Sequence, residues 1–185
     1  ASNPKINTSP VTESSKREQE LNSSNQKNET SHKIQDNKAR DTIELLFAGD
    51  IMAHSVNYNI STYSKIYKDV EYFIKDSDLA FANIEAPIDT SRPASSYPNF
   101  NMTQKYVQAA VDAGFDVFSL CNNHTNDQGL SGILETIKTS KSIEEYAKEN
   151  NLNAYFSGIK ESPKSAYTYN LIESHGWKIL FFPMT

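Results

Sequence analysis

The stretch Ser119-Leu120-Cys121-Asn122-Asn123-His124-Thr125-Asn126-Asp127 gathers three amides, an imidazole and a carboxylate within a few residues. It follows an apolar run, Phe115 to Leu120, that reads as a buried strand, and precedes Gly129, which opens a helical pattern. These polar groups therefore crowd the carboxyl end of a strand, where open α/β sheets hold their ligands. Packing gives no reason for Asn-Asn-His there. Metal coordination does, because amide oxygen, imidazole nitrogen and carboxylate oxygen are all first-row metal ligands.

Two further clusters sit at comparable places. Asp50 and His54 follow the strand-like run Ile43 to Ala48, and Glu85 follows the short apolar run Leu79 to Ala82. In a parallel sheet with right-handed crossovers, successive strand ends share one edge. The clusters Asp50/His54, Glu85 and Asn122/Asn123/His124/Asp127 then converge, and together they approach a two-metal site in which a bridging carboxylate offsets the repulsion between ions. Each cluster alone has an ordinary reading. Gly49-Asp50 can be a turn with an Asx bond, His54 a surface residue, Asn122 a helix cap, and His124 with Asp127 a plain hydrogen-bonded pair. Three at successive strand ends favour the functional reading.

The elements that must position these residues are legible from periodicity. A helix is expected from Tyr63 to Lys75, with apolar residues at Ile66, Tyr67, Val70, Phe73 and Ile74. Residues 86–100 carry three prolines and three serines and read as a loop. A second helix is expected over 103–113, with Thr103 as N-cap and Gly114 just past its end. A third covers 130–150, followed by a short strand at 154–156. Strands at 165–172 and 177–182 turn at Ser174-His175-Gly176, where His175 reads as a turn residue rather than a ligand. Alternating strands and helices give an α/β class with a mainly parallel sheet and an antiparallel addition at the end. Tyr155, Phe156, Trp177, Phe181 and Phe182 read as core.

Composition sets the remaining bounds. The chain has 185 residues, enough for one domain with a real core. Its 18 basic and 23 acidic residues give a net charge of -5, and no basic stripe suggests nucleic acid as a partner. The single cysteine, Cys121, excludes an intrachain disulfide framework. Beside the Asn-Asn-His run it could be a nucleophile or ligand, but a small buried residue ending a strand is the simpler reading. Residues 1–41 hold no aromatic and few large aliphatics, and read as a disordered polar tail or tether. His32 in that tail reads as a solvated side chain. The folded part is then 42–185. No apolar run approaches the roughly 20 residues needed to span a bilayer. A start at Ala1 without Met fits a mature protein whose targeting segment is gone, and equally a trimmed cytoplasmic fragment. No phosphate-binding glycine loop is present, and Gly129-Leu130-Ser131-Gly132 is one residue short of a nucleophile elbow.

Three motifs in order, Gly49-Asp50-Ile51-Met52-Ala53-His54, Ala82-Asn83-Ile84-Glu85 and Asn122-Asn123-His124-Thr125-Asn126-Asp127-Gln128-Gly129, resemble those of the CapA family of poly-γ-glutamate capsule biosynthesis proteins, within the calcineurin-like metallophosphatase superfamily. The resemblance runs from about Ile43 to Thr185. It implies a four-layer α/β/β/α metallophosphatase-like sandwich, here truncated at the C-terminus. It implies a dinuclear centre with Mn, Fe or Zn, in which Asp50 and His54 serve the first metal, Glu85 takes the place of the bridging acid and Asn123 binds the second. His124 would stabilise or protonate the scissile group and Asp127 would orient it. The sequence departs from the superfamily pattern in three ways. Asp50 and His54 are four apart rather than two, Glu85 replaces the usual Asp, and no Gly-x-His-x-His-like segment follows.

The implied function is a metal-dependent hydrolase of the bacterial envelope, linked to capsule poly-γ-glutamate synthesis, export or anchoring. The implied partners are an anionic polymer or phosphoester substrate and capsule-assembly proteins at the membrane. Without the later histidines this chain alone is expected to bind metal weakly and to be inactive. The alternative is a non-catalytic polymer-binding or assembly component with an incomplete metal site. Either would be extracytoplasmic, membrane-tethered or secreted.

Overall fold

The computed structural model describes residues 39–185. The expected tail and His32 lie outside the described residues, apart from 39–41. Four parallel strands, β1 (Leu45–Ile51), β2 (Leu79–Ile84), β3 (Val117–Ser119) and β4 (Tyr155–Ser157), form one sheet in sequence order. Consecutive parallel neighbours require a crossover each time. These are supplied by α1 (Ser55–Tyr58) with α2 (Glu71–Asp76), then α3 (Gln104–Asp112), then α4 (Gly129–Glu149). A separate antiparallel hairpin, β5 (Asn170–Ser174) and β6 (Trp177–Phe181), completes the described chain. The α/β class with a mainly parallel sheet is thus observed. The antiparallel addition is a second sheet rather than an extension of the first.

Strand alternation divides the core in two. Ala80, Ala82 and Ile84 of β2, with Phe118 of β3, face the helices and join Val107, Ala110 and Ile143 in the larger cluster. Leu79 and Phe81 of β2, with Val117 of β3, face the other way and pack on Ile172 and Phe181 of the hairpin. Three layers result: helices, parallel sheet, hairpin. Two expected core aromatics, Trp177 and Phe182, are instead exposed at 43% and 42%, because the hairpin buries only one face. Its outward cross-strand pair, Leu171 and Leu180, is 59% and 63% exposed.

Local chemistry explains most element ends. Thr103 Oγ1 accepts from the Tyr106 N–H at 3.3 Å, capping α3 as its position implied. Gly114 ends that helix at φ +104°, a conformation side chains resist, and a Cβ there would meet Lys75 Cγ at 2.9 Å. The expected helix over 63–75 is interrupted. A 3₁₀ turn spans Tyr63–Ile66 and α2 begins only at Glu71, since neither Thr62 nor Val70 supplies a side-chain cap and Tyr67 is drawn inward against Phe115. The strand expected over 165–172 begins at Asn170. Thr168 Oγ1 accepts from the Gly158 N–H at 2.8 Å and donates to the Ile159 carbonyl at 3.1 Å, which ties that segment to the end of β4 instead.

At the amino end of the sheet, Asp78 accepts from the Glu44 N–H at 2.8 Å, from the Arg40 guanidinium, and lies 3.3 Å from His175 Nε2. Burial opposes its charge, but the Glu44 N–H and the Arg40 guanidinium hold the Asp78 carboxyl below the usual range. His175 is therefore a structural turn residue, at φ +50°.

Phe118 is fully buried between the helices and stacks on Phe156 at 4.7 Å. Replacing it with Ala should cost about 3–5 kcal/mol in urea unfolding, whereas Leu171→Ser on the open hairpin face should change stability by less than about 0.5 kcal/mol.

Candidate functional site

The three clusters meet at the carboxyl edge of the sheet. β1 and β2 pair in register from Leu45 to Phe47, and then a bulge shifts the pairing so that Asp50 lies opposite Asn83. A one-residue shift moves a side chain to the other face of a strand. Here it sets Asp50 beside Asn83, whose Nδ2 donates to Asp50 Oδ1 at 2.8 Å and also to Glu85 Oε2. Asn83 and Glu85 share a face because they are two residues apart.

Glu85 is buried, at 9% exposure. Burial first, and then the charge of Asp50 and a hydrogen bond with it, push the Glu85 carboxyl above its ordinary value, against the Asn83 amide and His124. Two carboxylates thus face one another across the Asn83 amide.

Asn122 ties the third strand end to this pair. Its Nδ2 donates to Asn83 Oδ1 at 3.2 Å and to the Ile84 carbonyl at 2.8 Å, while its Oδ1 accepts from the His124 N–H at 3.0 Å. Thr125 Oγ1 donates to the Leu120 carbonyl at 2.8 Å and accepts from the Asn122 N–H at 3.0 Å, which folds the loop tightly. His124 Nδ1 donates to Asp127 Oδ2 at 2.8 Å, leaving Nε2 as the nitrogen free to meet a ligand. His54 stands further out, exposed, with Nδ1 3.3 Å from Ser96 Oγ.

Asp50, Glu85, His124 and Asp127 are therefore brought together, with Asn83 and Asn122 as the amides that link them. His54 contacts the loop at Ser96 and the ring of Phe100. Asn123 is exposed and stands outside the network, and its neighbour Asn122 is the amide turned inward. Asn83 belongs to the motif Ala82-Asn83-Ile84-Glu85, and the structure adds it to the site. Its position two residues before Glu85 is the signal that places it on the same face.

The donor chemistry of Asp50 and Glu85 fits a cation, which would relieve their mutual repulsion. His54 and Asn123 are not gathered around that pair. Among the described residues no group of three His, Cys, Asp or Glu side chains forms a ready cage. Cys121 is half-buried, and burial pushes its thiol up despite a hydrogen bond from the Thr185 backbone, which is opposite to the activation a nucleophile needs. A cleft of about 460 Å³ borders the motif loop at Cys121 and Thr125, with Ile133 and Ile159 in its wall and Lys160 Nζ 4.4 Å from the Tyr167 ring centroid.

The raised Glu85 carboxyl has a consequence for stability. Its folded value exceeds its unfolded one, so the contribution is full below the ordinary carboxylate range and is lost as pH rises through the raised value. Glu85→Gln should remove that loss. In the metal-free chain Glu85→Gln should raise the melting temperature more at neutral pH than at pH 4, read by calorimetry from pH 4 to 8.

The chain resembles known proteins over its folded part. The family model described as "Bacterial capsule synthesis protein PGA_cap" matches residues 44–185. The "Capsule biosynthesis protein CapA" of Bacillus anthracis is 30% identical over 112 residues, which cover 56% of this chain and 27% of that protein. The chain thus spans about a quarter of the length of the curated relative it matches. The family match takes in every strand end that carries Asp50, Glu85 and His124, and the chain belongs to the bacterial capsule synthesis (CapA) protein family.

Proposed function

We propose that this chain is part of a metal-dependent hydrolase of the bacterial envelope that acts in capsule polymer synthesis, export or anchoring. The observation that carries the reading is the Asp50–Glu85 pair, bridged by Asn83 and set beside the His124–Asp127 dyad at the carboxyl edge of a parallel sheet. Asp50 and Glu85 would hold a divalent ion, Mn, Fe or Zn, with His54 and Asn123 turning inward to complete its surroundings. Such an ion supplies Lewis acidity and lowers the pKa of bound water. His124, with Nδ1 held by Asp127, would present Nε2 to the scissile group and protonate the departing atom, while Asp127 stabilises the imidazolium.

The substrate in this reading is an anionic polymer or phosphoester, with capsule-assembly proteins as partners. Lys160 at the rim of the cleft beside Cys121 suits a carboxylate-bearing arm. The finer architecture we propose is the four-layer α/β/β/α sandwich, in which a further helical layer covers Leu171 and Leu180. Donors for a second ion would come from protein outside the described residues. Residues 1–41 would serve as a tether on the outer side of the membrane. Among the described residues no helix is long and apolar enough to cross a membrane.

A second reading is a polymer-binding or assembly component that does no chemistry. The outward position of Asn123 and the engagement of His54 with Ser96 favour it.

Metal stoichiometry separates the two. The chain is loaded with Mn²⁺, desalted and analysed by mass spectrometry beside an Asp50→Ala, Asn123→Ala double variant. The hydrolase reading expects metal retained by the parent and lost by the variant. Equal absence from both removes the metal reading for this chain. His124→Ala should keep the metal and lower hydrolysis in the full-length protein by about 10²–10⁴-fold, as loss of a general acid does.

A further inference from the structure

The loop over residues 86–103 does more than connect β2 to α3. Phe100, buried at 2% exposure, stands between the two site histidines. Its ring meets His54 edge-on with centroids 5.0 Å apart, and His124 likewise at 4.9 Å. Its backbone N–H donates to Asp127 Oδ2 at 2.8 Å, the same oxygen that accepts from His124 Nδ1. One residue therefore touches both imidazoles and the carboxylate that orients one of them.

Phe100 is itself held from the other side. Gln128 Nε2 donates to the Phe100 carbonyl at 2.9 Å and to the Asn99 carbonyl at 3.3 Å. Gln128 Oε1 accepts from Arg92 Nη1 at 3.1 Å, and Arg92 Nη2 donates to Ser131 Oγ at 3.1 Å. Arg92 Nε lies 3.0 Å from Oδ2 of Asp89, which is 1% exposed. Asp89 Oδ1 accepts from the Ser91 N–H at 2.9 Å. Asn101, equally buried, accepts from the Asp89 N–H at 2.9 Å and donates to the carbonyls of Asp89 and Pro93 at 2.9 and 3.0 Å. Asp89 Oδ2 meets Arg92 Nε as an ion pair without accepting a hydrogen bond, while the bonds to Asp89 Oδ1, Asn101 and Gln128 fix the loop around Phe100. A loop that only spanned two elements would not need a buried carboxylate and a buried amide to fix a single phenylalanine.

We propose that Phe100 is a positioning residue for both His54 and His124, held in place by the Asp89–Arg92–Gln128 clasp. The separation of the two imidazoles is then set by the loop rather than by the strand ends that carry them. This rests on the assignment of His54 and His124 to the site made above. It also accounts for the irregular backbone after β1, because His54 need not be placed by the strand when the loop places it.

The test uses the full chain with ¹³C,¹⁵N-labelled histidine, metal-free, and reads the imidazole C–H resonances, which sense the ring current of Phe100. Two variants are compared with the parent. Phe100→Leu keeps the apolar volume and removes the ring. Gln128→Met touches neither imidazole and removes the hydrogen bonds that hold Phe100. The expected result is that both variants shift the resonances of His54 and His124 together, while His175, at the opposite end of the sheet on Asp78, stays put. A Gln128→Met spectrum with both site histidines unmoved overturns the proposal. So does one in which a single site histidine moves, or in which His175 moves with them through general loosening. Mn²⁺ binding by the parent is measured alongside, so that failure of the metal reading and failure of the clasp are told apart. If the parent binds no Mn²⁺, the metal reading fails by itself, and the imidazole resonances still decide the clasp.

Discussion

The repulsion between two carboxylates is the constraint around which this end of the molecule is built. Asp50 and Glu85 face each other because a bulge in β1 turns Asp50 onto the face of Asn83 and Glu85. A structure selected only for stability would avoid that arrangement, since burial and the neighbouring charge both raise the cost of ionising Glu85. The Asn83 amide offsets part of the cost by donating to both acids. Its oxygen in turn receives the Asn122 amide, so the acid pair and the His124 loop are joined through two side chains. Unfavourable electrostatics concentrated at one sheet edge are a mark of function rather than of folding.

Stability is supplied elsewhere. The helix-facing residues of β2 and β3 bury Ile84, Val117's neighbour Phe118 and their partners almost completely. The amino edge of the sheet is pinned by Asp78, with Arg40, Glu44 and His175 around it. Opposite ends of the same strands thus carry opposite electrostatic designs. At one end a carboxylate is satisfied by a guanidinium and an N–H. At the other, two carboxylates share the Asn83 amide.

Much of this was legible in the residues. Alternating strand and helix periods give the parallel sheet, and parallel strands put their carboxyl ends on one edge, so the convergence of Asp50, Glu85 and His124 follows from order alone. Thr103, Gly114 and the His124–Asp127 spacing act locally and are readable for the same reason. The helix expected over 63–75 is split because its apolar spacing, which fits a helix, has no capping residue to start one. Trp177 and Phe182 looked like core because hydrophobicity does not tell which face of a hairpin is covered.

The sequence by itself determined the class of fold, the edge on which the polar residues gather and the family to which the chain belongs, because these depend on periodicity and on short motifs. Tertiary structure alone decided which amides take part. Asn122 rather than Asn123 turns inward, since only the folded loop offers the Ile84 carbonyl and Asn83 as partners. It decided also that Asp50 faces Glu85, since a one-residue bulge leaves no trace in composition. And it decided that Phe100, which lies 46 residues after His54 and 24 before His124 in the numbering, stands between them, because contacts at such separation are fixed by packing and by no local rule.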